Sequence, residues 1–122
     1  MSLLNKQITE LIKNKISYKD HGITAEIKFD KNFIGFIGHF PDNPVLPGVI
    51  IIKVMTQMYE LFNNKRYVLS QIKQAKFIEP VLSDTTVSIF IKSDKNPDGV
   101  RLDGKMVRTD KIIAKISLVL QG

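Results

Sequence analysis

The sequence predicts an α+β fold built as a single domain over residues 1–122, and three observations predict it. One long, almost wholly apolar helix follows Pro47. Four strand-like segments come after that helix, joined by turn signals of hairpin type. No repeat, low-complexity stretch or linker divides the chain, whose 122 residues suit one domain. Strands in series after one helix, with short links, give antiparallel strands wrapped on that helix rather than a parallel sheet.

The elements follow in order. Over residues 3–16, Leu4, Ile8, Leu11 and Ile12 share one face, with Lys6, Glu10 and Lys13 outside, which predicts an amphipathic helix. No function is assigned to the opening Met-Ser-Leu. Tyr18 to Gly22 reads as a turn, with His21 a turn or surface residue. Ile23 to Phe29 alternates as a strand. Asp30 to Asn32 then loops into Phe33–Phe40, a stretch of aromatics and glycines that reads as a buried loop against the core.

Pro41, Pro44 and Pro47 hold the next stretch extended, because a residue before proline is pushed out of helical angles. Pro47 suits the first helical turn, where a missing N–H costs nothing, and Gly48 lets a ligand approach the backbone. From Val49 the chain is apolar all round, as a core helix is, except for Lys53, Thr56, Gln57 and Glu60 on one face. That stripe faces a cleft, a subunit interface, or only solvent with Lys53 snorkelling. Asn63-Asn64-Lys65 stops the helix.

Tyr67 to Ile78 reads as a strand with a polar middle, Gln71 to Gln74, and Pro80 to Asp84 as a turn. Thr85 to Ser93 is a strand with Val87, Ile89 and Ile91 on one face. Asn96-Pro97-Asp98-Gly99 is a turn and Asp103-Gly104 a second one, which makes an irregular hairpin tip. Lys105 to Thr109 and Ile112 to Leu120 complete the set, the latter with Ile112, Ala114, Ile116 and Leu118 facing one way.

Composition excludes several classes of function. Without cysteine there is no disulfide, thiolate nucleophile or cysteine metal site, which together with the lack of a signal-peptide pattern predicts a cytoplasmic address. The two histidines are not spaced as a metal pair on one helix, so no metal or cofactor is expected. No apolar run is long enough for membrane insertion. A net charge of +6 attracts polyanions, but no nucleic-acid-binding module is present, so no nucleic acid is expected. A solvated surface of scattered lysines fits this charge.

Phe36-Ile37-Gly38-His39-Phe40-Pro41, then Pro44-Val45-Leu46-Pro47-Gly48-Val49, resembles the active-site segment of the FabZ/FabA-type beta-hydroxyacyl-acyl carrier protein dehydratases. Lys76 to Val81 with Asp84, and the last strand, fit the same pattern, so the resemblance covers roughly residues 23–120. It implies a hot-dog fold, a long central helix wrapped by a curved antiparallel sheet. It also implies a lyase of fatty acid biosynthesis or related lipid metabolism, acting on a thioester of acyl carrier protein or coenzyme A. The assembly implied is a homodimer or larger even oligomer. In such a site His39 is the base, because a neutral imidazole works near pH 7. Backbone N–H groups at Gly48 and Val49 are the oxyanion donors. Phe36, Gly38, Phe40 and Pro47 line the acyl tunnel, and Gln57 matches the family's glutamine.

One position departs. The family carries a carboxylate on the central helix fourteen residues after the histidine, and this chain has Lys53 there. Lys53 is therefore a second catalytic candidate, donating a proton itself. Alternatively the homodimer has reduced activity, is a thioesterase or a silent acyl-thioester binder, or pairs with a related partner chain that supplies the carboxylate. Glu60 lies seven residues further along, about 10 Å down the axis, and is a poor substitute.

Overall fold

The computed structural model describes residues 2–36 and 45–122. The chain runs α1 (Leu3–Ile12), β1 (Ser17–Lys19), β2 (Gly22–Phe29), a 3-10 turn (Ile34–Phe36), α2 (Gly48–Asn63), β3 (Val68–Phe77), β4 (Thr85–Asn96), β5 (Gly99–Arg108) and β6 (Lys111–Gln121). The strands form one six-stranded antiparallel sheet in the order β1-β2-β4-β5-β6-β3. β2, β4, β5 and β6 turn alternate apolar side chains inward, and α2 meets them with Ile50, Ile51, Ile52, Val54, Met55, Met58 and Tyr59, all buried.

A Val-Ile-Ile-Ile run is a better strand former than helix former, yet it is helical here. The deficit of β-branched residues in a helix is below about 0.7 kcal/mol each. Burying Ile50, Ile51 and Ile52 gives about 1.5–3 kcal/mol each, so tertiary packing decides. The helix ends where expected, at Asn64 in the left-handed region with φ 50°, its N–H bonded to the carbonyls of Glu60 and Leu61.

Several boundaries differ from the sequence reading. The first helix stops at Ile12 rather than residue 16, and it starts on Ser2, whose hydroxyl accepts the Asn5 N–H at 3.1 Å as an N-cap. Ser17–Lys19 is a short edge strand rather than part of a turn. The turn is only Asp20-His21, with φ of 54° and 63°, the left-handed pair of a two-residue type I′ hairpin. β1 is exposed along its length, so no apolar alternation marked it.

The expected turn at Asp103-Gly104 is instead the middle of β5, paired with Lys92 and Ile91 on one side and with Ser117 and Ile116 on the other. A Cβ on Gly104 would lie 2.5 Å from the Met55 sulfur. The glycine is there to let α2 close on the sheet. Asp103 tolerates the strand because its carboxylate accepts the Ser117 hydroxyl at 2.6 Å and the Arg101 Nε–H at 3.2 Å. The β4–β5 turn is Pro97-Asp98 alone, between paired Asn96 and Gly99. In β6 the register shifts between Ile112 and Ala114, so Ile113, not Ile112, is fully buried. One extra residue in a bulge breaks the two-residue period on which the face assignment rested.

Candidate active site at the head of the central helix

The entry to α2 is fixed by its contacts with the segment between β3 and β4. Leu46 donates its N–H to the Val81 carbonyl at 2.8 Å, and Val45 bridges to Leu82. Pro47 then takes φ −63°, ψ 143°, so it sits at the N-cap rather than inside the first turn, and the helix begins at Gly48. Among the described residues no side chain caps this end. The Ile50 N–H already bonds to the Pro47 carbonyl at 3.0 Å, which leaves the N–H groups of Gly48 and Val49, without an intrahelical acceptor and at the positive end of the helix dipole, suited to a developing oxyanion.

Phe77, at the end of β3, lies against this terminus. A Cβ on Gly48 would come 2.4 Å from the ring edge. Gly48→Ala is therefore expected to push the ring outward and cost about 1 kcal/mol, the low end for overpacking. Gly48→Ala/Phe77→Leu should recover most of that loss, as read by chemical denaturation; additive losses would mean the two do not touch. Phe77 is the site residue that sequence reasoning missed. Its signals were its place in the Lys76–Val81 stretch that fits the family pattern and the glycine opposite it, which lies 29 residues away in the chain.

Phe36 is buried in the hydrophobic core, its ring edge-on to Phe33 at 6.0 Å. Gly38, His39 and Phe40 lie outside the described residues.

The polar stripe of α2 splits in two. Gln57 and Glu60 are engaged by their own chain. Gln57 donates to Asn5 Oδ1 at 3.2 Å and accepts from the Thr9 hydroxyl at 3.1 Å, while Glu60 accepts the Tyr67 N–H at 2.9 Å. These residues border a polar groove of about 470 Å³ between α1 and the end of α2. Val49 and Lys53, one turn apart near the head of the helix, are exposed, Val49 by 60%. The structure thus gathers Pro47, Gly48, Val49, Lys53 and Phe77 at one end of α2 and ties Gln57 to α1.

Among the described residues two groups are electrostatically perturbed. The Lys111 ammonium and then the Arg108 guanidinium hold the Glu79 carboxyl below the usual carboxylate range. This clamp fastens the turn after β3 to the β5–β6 turn, behind Val81 and Leu46. Burial pushes the Tyr59 phenol up. Among the described residues no cluster of three or more histidine or acidic side chains could hold a metal ion.

The family model described as ApeI-like, ApeI dehydratase, matches residues 14–114. A 3-hydroxyacyl-acyl carrier protein dehydratase FabZ of Clostridium botulinum strain Loch Maree is 33% identical over 96% of this chain and 83% of its own length. The FabZ of Rickettsia bellii is 30% identical over 93% and 85%. The FabZ of Fusobacterium nucleatum is 36% identical, but the match spans only 62% of that relative. In fold, the dehydratase heterocomplex ApeI:P from Xenorhabdus doucetiae superposes with a TM-score of 0.71 at 22% identity, over 85% of this chain and 90% of that one. An uncharacterised protein of Erwinia carotovora subsp. atroseptica gives 0.69 at 17% identity, over 88% and 90%. A helix-centred antiparallel sheet with an uncapped glycine start, and a family match across most of its length, place this chain in the ApeI-like family of FabZ-related hot-dog dehydratases.

Proposed function

We propose that the protein removes water from 3-hydroxyacyl thioesters, carried on acyl carrier protein or coenzyme A, in the synthesis of fatty or related acyl chains. The observation that carries this reading is the head of α2, where uncapped N–H groups at Gly48 and Val49 open beside Phe77 and the exposed Lys53. His39 takes the proton alpha to the thioester carbonyl. The N–H groups of Gly48 and Val49 hold the enolate oxygen. The C3–O bond then breaks, and the leaving hydroxide takes a proton from an acid to depart as water, leaving an enoyl thioester. The acid in an isolated homodimer is the Lys53 ammonium, a less suitable partner than the family's carboxylate, so turnover is slow. The purified protein should nonetheless form enoyl thioester from a chain-length panel of 3-hydroxyacyl thioesters, followed by ultraviolet absorbance. No enoyl product at any length refutes the reading; release of free thiol instead would favour a thioesterase. A related partner chain carrying the carboxylate is a second reading, favoured by Lys53 itself, and the Xenorhabdus neighbour is a heterocomplex.

The working unit in this proposal is a dimer joined along β3. Among the described residues this edge strand pairs only with β6, and its residues Leu69, Ile72 and Phe77 lie opposite Leu120, Leu118 and Ala114, on the side facing α2. All three remain 40% exposed or more. An apolar edge of this kind pairs with another chain. Ile72→Asp should convert the dimer to a monomer at micromolar concentration by light scattering. A wild type that is already monomeric, or a dimer indifferent to the change, would rule out this interface.

A further inference from the structure

We propose that Glu79 is a positioning residue for the oxyanion donors: clamped by Arg108 and Lys111, it holds the segment that sets where the N–H groups of Gly48 and Val49 stand. The proposal rests on the dehydratase reading. The segment, residues 77–82, touches the head of α2 at both of its ends. At one end the Phe77 ring lies against Gly48. At the other the Val81 carbonyl accepts the Leu46 N–H at 2.8 Å, and Leu82 bridges to Val45. Glu79 lies between these contacts. One of its carboxylate oxygens meets the Arg108 guanidinium and the other the Lys111 ammonium. Arg108 donates a further N–H to the Pro80 carbonyl at 3.3 Å. The backbone is tied at the same place, because the N–H groups of Ile78 and Glu79 both donate to the Ile113 carbonyl, at 2.8 and 3.2 Å, at the bulge of β6.

The two cations are themselves held in place. Arg108 and Lys111 are direct partners across the β5–β6 turn, where Thr109 and Asp110, with φ of 48° and 62°, form a tight left-handed pair. Like charges directly opposite one another destabilise a hairpin, and the Glu79 carboxylate between them removes that repulsion. The Lys111 ammonium holds this carboxyl below the usual carboxylate range, so it is ionised at neutral pH. Ion pairs with this much exposure, 27% for the Glu79 and Arg108 side chains, add little to global stability. Their consequence is local. The Ile113 bonds fasten residues 78 and 79, and the clamp carries that hold on to Pro80 and so to Val81, which carries Leu46. Glu79 does not reach the reacting atoms and acts through Val81 and Leu46. Misplacing a catalytic group by about 1 Å costs on the order of 10²-fold in rate, so a clamp too weak to govern folding can still govern turnover.

The test pairs amide hydrogen exchange, followed by NMR, with steady-state kinetics on the purified full chain at neutral pH. In Glu79→Gln the Leu46 N–H should exchange about tenfold faster or more, while the amides of β4, inside the sheet, keep wild-type rates. In the same variant kcat for 3-hydroxyacyl-thioester dehydration should fall about tenfold with KM within about twofold, the pattern of an interaction lost in the transition state. Arg108→Ala/Lys111→Ala should reproduce both effects from the other side of the clamp, and it decides the matter if Glu79→Gln does not fold. Glu79→Lys/Arg108→Glu/Lys111→Glu, which reverses every charge, should recover part of both losses. Glu10→Gln, which breaks the exposed Glu10–Lys13 pair on α1, should change neither. Unchanged Leu46 exchange in the clamp variants overturns the proposal, as does equal acceleration at Leu46 and in β4, the mark of global destabilisation. Faster Leu46 exchange with unchanged kcat overturns it too. A wild type that turns over no 3-hydroxyacyl thioester sinks the dehydratase reading instead, and Leu46 exchange then decides alone whether Glu79 positions the head of α2.

Discussion

Replacing His39 by alanine is expected to lower kcat for 3-hydroxyacyl-thioester dehydration by about 10²- to 10⁴-fold, the range a positioned general base supplies. Among the described residues no uncommitted carboxylate or imidazole stands at the candidate site. The remaining histidine, His21, sits in the β1–β2 turn with φ 63°. Among the described residues the carboxylates near α2 are committed, Glu60 to the Tyr67 N–H and Glu79 to Lys111 and Arg108. The variant should melt within a degree or two of wild type. If it keeps wild-type turnover across a full panel of chain lengths, the base is not His39.

Lys53 is expected to govern the reaction in the opposite sense from an ordinary active-site lysine. Lys53→Glu should raise dehydration by the homodimer about tenfold or more, and Lys53→Met should abolish the residual rate. Glutamate at this position changes the local charge by two units. At an effective dielectric near 20, two charges about 6 Å apart interact by roughly 3 kcal/mol, enough to alter which group can protonate the leaving hydroxyl. On the isolated chain, where Lys53 is exposed, water screens much of this. The full effect therefore needs the proposed dimer to exclude water from Val49 and Lys53. A homodimer inactive until a related, carboxylate-bearing chain is added would assign the acid to that chain. Substantial wild-type activity unaffected by Lys53→Met would move the acid elsewhere in the cleft.

Much of this architecture was legible in the residues, and the failures have particular causes. The apolar helix after Pro47, its stop at Asn64, and the alternating strands were readable because burial leaves a period in the sequence. Asp103-Gly104 was misread because the pair has turn chemistry. Only the approach of Met55 shows that the glycine serves helix-to-sheet packing. The β6 face slipped because a bulge at Ile113 has no signature of its own. β3 was readable as a strand but not as an edge, since edge position depends on which strands pair.

The candidate site divides along the same line. The sequence by itself determined the family and the fold class, and set Lys53 where the family resemblance implies a carboxylate, because these follow from residue types at fixed spacing along one chain. Which members of the polar stripe are free was decided only by tertiary structure. Lys53 and Gln57 are one helical turn apart and looked equivalent, but α1 folds over Gln57 with Asn5 and Thr9 and leaves Lys53 bare. The cluster Glu79, Arg108, Lys111 was likewise hidden, since Glu79 is 29 residues from Arg108 and the three looked like scattered surface charge. Hydrogen-bond register between strands set them side by side, and that register is a property of the sheet rather than of any one segment.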